Sequence, residues 1–146
     1  MILKAIYSFF ASLGFGVLFN IKGKNLFFAS LGGFFTWYAY LLSLESSGSN
    51  LAALFIASLL AGIYSEVSAR VLKAPVTIFS ICSIIALVPG GGMYYTMLES
   101  VQGDINKFLS TGLETFSSAG AIAVGILLAS SITKVLTFIF KKQKNF

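Results

Sequence analysis

Histidine is absent from the 146-residue sequence, cysteine occurs once, proline twice, and only 10% of the residues are charged. Without histidine the chain lacks the usual proton shuttle at neutral pH and the commonest metal ligand. The lone Cys82 can form neither an intrachain disulfide nor a thiolate metal site, and its apolar setting suits a small core hydrophobe. No metal site and no cofactor are therefore expected. An average soluble domain is about 25% charged, so this chain has too little polar surface to cover a globule in water. Disorder is excluded as well, because it requires low hydrophobicity and high net charge.

Apolar residues are what the sequence has in abundance: 57% of the chain, with a mean hydropathy of +0.90. A bilayer crossing takes about 20 residues. The reading is an all-α, polytopic membrane helix bundle forming a single integral membrane domain over 1–146. About five transmembrane helices are expected, at 2–19, 26–44, 51–69, 76–88 with a continuation at 93–101, and 118–140. The first run is too long for the apolar core of a signal peptide. Ser49 or Asn50 can cap the third helix, and Asp104 the last element. Trp37, Tyr38 and Tyr40 suit an interfacial aromatic belt.

The fourth apolar stretch, 76–88, is too short to cross and runs into Pro89-Gly90-Gly91-Gly92. Proline removes a backbone donor and the glycines free the backbone angles, so a helix broken at Pro89–Gly92 is expected. No Lys-Ser/Thr follows these glycines, which separates them from a phosphate loop.

The net charge of +5 is scattered between apolar runs. It reads as membrane orientation, with no nucleic-acid partner. Lys22, Lys24, Arg70, Lys73, Lys141, Lys142 and Lys144 fall on one side of a five-span chain, and Lys4 and Lys107 on the other. The positive-inside rule then puts the N-terminus outside and the C-terminus in the cytoplasm. Ser8, Ser12 and Gly16, Ala29 and Gly33, Ser58 and Gly62, and Ser117, Ala121, Gly125 and Ala129 lie four apart. Small residues at this spacing let helices approach closely in lipid, where packing rather than hydrophobicity drives association.

Two sites could carry function. Glu66 and Arg70 are four apart on the third span and share a face. A carboxylate at membrane depth is costly and usually partnered. Glu66 is either a coupling or substrate-binding group, or half of a structural ion pair at the membrane edge. Pro89, Gly90, Gly91 and Gly92 are either the break of a discontinuous helix, whose half-helix ends bind charged groups, or a surface turn with Met93–Val101 lying flat. Lys134 and Glu114 are secondary candidates. Lys134 can snorkel to the cytoplasmic face. Glu114, with Ser110, Thr111, Thr115, Ser117 and Ser118, lines either a vestibule or a solvated helix start.

Three strings carry a resemblance: Ala61-Gly62-Ile63-Tyr64-Ser65-Glu66-Val67-Ser68-Ala69-Arg70, Lys73-Ala74-Pro75, and Leu87-Val88-Pro89-Gly90-Gly91-Gly92-Met93-Tyr94. Phe19-Asn20-Ile21 and the run from Ala121 to Ile126 agree. The chain resembles the threonine/serine exporter family, and within it the YjjB-like small subunit that corresponds to the C-terminal half of the full-length exporters. The resemblance implies a multi-pass protein of the cytoplasmic (inner) membrane, not an enzyme. It implies export of small polar metabolites, either threonine/serine-type amino acids or dicarboxylates such as succinate. It also implies a larger YjjP-like membrane subunit as partner, with a homo-oligomer as a further arrangement. It assigns no site residue. Two units with an odd number of spans insert in opposite senses, the inverted-repeat design of many secondary transporters. The alternative is an accessory or scaffolding subunit that stabilises a partner transporter without contacting substrate.

Overall fold

The computed structural model describes residues 1–143. Six helices follow one another: α1 (Ile2–Leu18), α2 (Lys24–Ser47), α3 (Asn50–Leu72), α4 (Val76–Ile84), α5 (Gly90–Gln102) and α6 (Ile105–Gln143), with no strand among the described residues. The protein is thus an all-helical polytopic membrane bundle. α2, α3 and residues 105–135 of α6 are long and apolar enough to cross a membrane, and α1 is a shorter apolar helix. The side chains of the expected basic tail, Lys141, Lys142 and Lys144, lie outside the described residues.

Local chemistry sets the turns. Gly48 closes α2 in the left-handed conformation with φ 64°, which costs glycine nothing. Ser49 then caps α3 by accepting from the Ala52 N–H, while Asn50 accepts from the Tyr40 hydroxyl. The Asp104 carboxylate accepts from the Lys107 N–H at 3.1 Å and opens α6.

Close contacts fix the directions of the helices. The Ser8 hydroxyl donates to the Gly33 carbonyl, and Gly16 lies against Leu26, so α1 and α2 are antiparallel. The Tyr64 hydroxyl donates to the Phe28 carbonyl, so α3 runs back along α2. Gly125 rests on Ser58 and Gly62 on Ala129, so α3 and α6 are parallel. Gly92 meets Thr115 and Gly112 meets Thr96, so α5 opposes α6. α4 and α5 point the same way, so the chain returns between α3 and α6 through an interrupted pair of helices.

α3 is the central helix, packed by α2, α4 and α6. Its buried face is built of small residues: Ala53, Ala57, Ser58, Ala61, Gly62 and Ser65. Two of its buried hydroxyls donate to backbone carbonyls, Ser65 to Ala61 and Ser58 to Phe55. On α6 the buried face runs through Ser118, Ile122, Gly125 and Ala129, with Ser117 and Ala121 only half-buried.

α4 has nine residues, roughly 13 Å of helix, less than half of a ~30 Å hydrocarbon core. It starts beside Ile21, Leu26 and Leu72. It stops where Cys82 and Ser83 meet Ser12 and Gly32 in the middle of the bundle. α6, by contrast, is one helix of 39 residues, roughly 58 Å long. It packs against α3 and α5, and α5 touches no other helix. This hairpin extends past the turn between α2 and α3.

Candidate functional site

The helix break is present and includes Pro89, but it otherwise lies upstream of the glycines expected to share it. α4 ends at Ile84 and α5 begins at Gly90, so the unwound segment is Ile85–Pro89 and the glycines are helical. The cause is Pro89. It has no N–H for the Ile85 carbonyl, its ring would clash with that carbonyl, and it drives Val88 out of the helical region. Gly92 has a packing role, since a Cβ there would strike Thr115 of α6, whereas Gly90 and Gly91 face open space.

α4 ends with carbonyls that have no helical acceptor role left. Ser12 of α1 donates to the Cys82 carbonyl at 2.9 Å, and the Leu87 N–H returns to Ile84 at 2.8 Å. Leu87 anchors the segment among Leu54, Ala57 and Ile122. The next-door Ala86 lines a groove of about 360 Å³ together with Lys4, Tyr7, Ser8 and Ala11 of α1 and Trp37 of α2. The Trp37 indole nitrogen is buried without a hydrogen-bond partner. Trp37 packs against the core around Leu54 and stacks obliquely on Tyr40 at 5.1 Å. Part of its ring is therefore covered by the core. On the far side of the break, Val88, Pro89, Met93, Thr96, Met97, Gly112, Thr115, Phe116 and Ala119 line a second, apolar groove of similar size.

Glu66 and Arg70 meet. The Arg70 guanidinium lies 3.0 Å from the Glu66 carboxylate, donates at 2.9 Å to the Glu66 carbonyl, and donates at 3.1 Å to the Thr137 hydroxyl of α6. Glu66 is 7% exposed, whereas the Arg70 side chain is 43% exposed. The pair fastens α3 to α6 below the Gly62–Ala129 contact. It lines neither groove at the break. The sequence offered the pair and the break as two candidate sites, and the fold keeps them apart.

Glu114 joins Ser110, Leu113 and Ser117 of α6 with Ser49, Asn50 and Leu51 around a cavity of about 440 Å³ at the α2–α3 turn. Lys134 is exposed on α6. The groove brings together Lys4, Tyr7 and Trp37, which the sequence reading did not join. The available signal was Lys4, a charge inside an apolar run, but nothing local linked it to Trp37.

A family model described as Threonine/Serine exporter, ThrE matches residues 4–132. No curated protein and no solved structure matches the chain.

Proposed function

Because this chain belongs to the threonine/serine exporter family, a family of transporters, we propose that it is one subunit of a two-component secondary transporter. It exports small polar metabolites of the threonine/serine or dicarboxylate type across the cytoplasmic membrane. The observation that carries this reading is the half-length α4. It ends in mid-bundle and leaves non-helical backbone inside the helix bundle beside an open groove. Such backbone is tolerated only where protein buries it or where it lines a watery cavity, and discontinuous helices of this kind form midplane sites in secondary transporters.

An odd number of passes supports a mate of opposite orientation, the larger membrane subunit. Its docking would supply the wall that the groove lacks, and would cover the apolar side chains that α5 leaves exposed, among them Met93, Tyr94, Tyr95 and Met97. Export driven by an ion gradient needs a titratable group, and the buried carboxylate of Glu66 is the candidate for it.

The test is efflux of threonine and of succinate from cells that express the chain, the larger subunit, or both. Efflux only with both supports the reading. Normal efflux with the larger subunit and a chain lacking both Glu66 and the break would assign a scaffolding role instead.

A further inference from the structure

We propose that the groove between α1, α2 and the unwound segment after α4 is a carboxylate-binding site, with the Lys4 ammonium and the Trp37 indole N–H as its donors. The assignment deepens the export reading, on which it rests for the identity of the ligand as an exported amino acid.

Three observations converge on it. The groove is lined by Lys4, Tyr7, Ser8, Ala11, Trp37 and Ala86, so its only charged side chain is a cation and it has no acidic lining residue. Lys4 forms no ion pair among the described residues. The Trp37 N–H is buried and unbonded. An unmade buried hydrogen bond is costly and calls for an acceptor, and a carboxylate accepts from both donors at once. Of the other hydroxyls nearby, Ser8 is already given to the Gly33 carbonyl and Ser12 to the Cys82 carbonyl, while Tyr7 adds a third donor to the lining.

The groove also borders the C-terminal end of α4, where the partial charge of a helix is negative. An α-amino acid places its ammonium toward that end while its carboxylate meets Lys4. A lipid phosphate offers the same anionic chemistry as the carboxylate, so the test separates the two sources.

Trp37 is the only tryptophan in the chain, and its emission reports this groove alone. The full chain in phosphatidylcholine vesicles is titrated with L-threonine and with L-threonine methyl ester, which has no carboxylate. The expected result is a saturable shift with threonine and a response about tenfold weaker or more with the ester. Lys4→Met lowers threonine affinity by a similar factor at unchanged helix content, and Lys4→Arg restores most of it. Trp37→Phe, followed by calorimetry, weakens binding in the same direction.

Emission that threonine does not move, or Lys4→Met binding as tightly as the parent, overturns the site. So does a groove that phosphatidylglycerol vesicles saturate and threonine cannot displace, which makes it a headgroup site. The two readings fail separately. If loss of the chain stops export while Lys4→Met exports normally, the site falls and the export reading stands. If threonine binds as described while loss of the chain leaves export unchanged, the reverse holds.

Discussion

At the residue scale the question is what a charge does inside an apolar bundle. Glu66 is buried, yet its partner Arg70 is half in solvent, and ion pairs with an exposed member contribute about 0–1 kcal/mol. Glu66→Gln is therefore expected to leave the folded protein in the membrane at near-normal amount. If its carboxylate works in transport, efflux is abolished, and cellular efflux at matched protein level reads the difference. Unchanged efflux would confine the pair to clamping α3 on α6. The pair was legible in the sequence because i, i+4 spacing on one helix fixes proximity. The Lys4–Trp37 groove was not. Its members come together only through the antiparallel register of α1 on α2, which is set by Ser8 and Ser12 against Gly33. Read by type alone, Trp37 belonged at a membrane surface.

Asp104 offers a residue-scale test outside the membrane spans. The Lys107 ammonium and N–H hold its carboxyl below the ordinary carboxylate value. A group with a lowered folded value stabilises the fold above its unfolded pKa, about 3.9, and loses that contribution as pH falls through the lowered value. Asp104→Asn is expected to remove this acid dependence from the α5–α6 hairpin while keeping much of the cap. Hydrogen exchange of residues 105–108 across acid pH measures it, and equal pH profiles for the two proteins would contradict it.

At the element scale, glycine and proline divide the work around the break. Pro89 ends α4, so Pro89→Ala is expected to extend helix into Ile85–Val88 and to reduce efflux, with cysteine accessibility at position 86 falling as the groove narrows. Gly90→Ala and Gly91→Ala face open space and are expected to be neutral or stabilising by up to about 1 kcal/mol each. Gly125→Val drives a side chain into Ser58 and the α3 backbone. It is expected to cost about 1–3 kcal/mol, seen as a lower thermal midpoint in detergent, and an unchanged midpoint would mean that α3 and α6 are not in contact. The sequence revealed the existence of the break and the small-residue faces, because those depend on local chemistry. It did not reveal that the glycines are helical, since a Pro-Gly-Gly-Gly string signals a turn until Thr115 is known to lie against it. Nor did it show α6 as one helix. Residues 105–117 mix polar and apolar side chains, so the pattern alone does not join them to the span that follows, whereas in the fold they pack against α5.

At the scale of the whole molecule, the decisive property is parity. α3 and α6 run parallel, and the chain returns between them through α4 and α5, so the described ends of the bundle lie on opposite sides. The Asn20–Asn25 turn, with Lys22 and Lys24, and the α3–α4 turn, with Lys73, cluster at the end where α4 begins. The positive-inside rule would make that end the cytoplasmic one. A reporter fused after Phe146 is therefore expected to read as cytoplasmic, and one inserted at Gly48 as external. A chain oriented this way reaches the midplane from the cytoplasm with a half-helix and leaves its groove open toward a neighbour. A mate with the opposite insertion would bring a second half-helix to the same depth from the other side. The arrangement predicts that the two subunits co-purify, and that a cysteine at position 86 cross-links to the mate and not to a second copy of this chain. A cross-link between two copies would replace the inverted pair with a homo-oligomer and move the missing wall onto this chain itself.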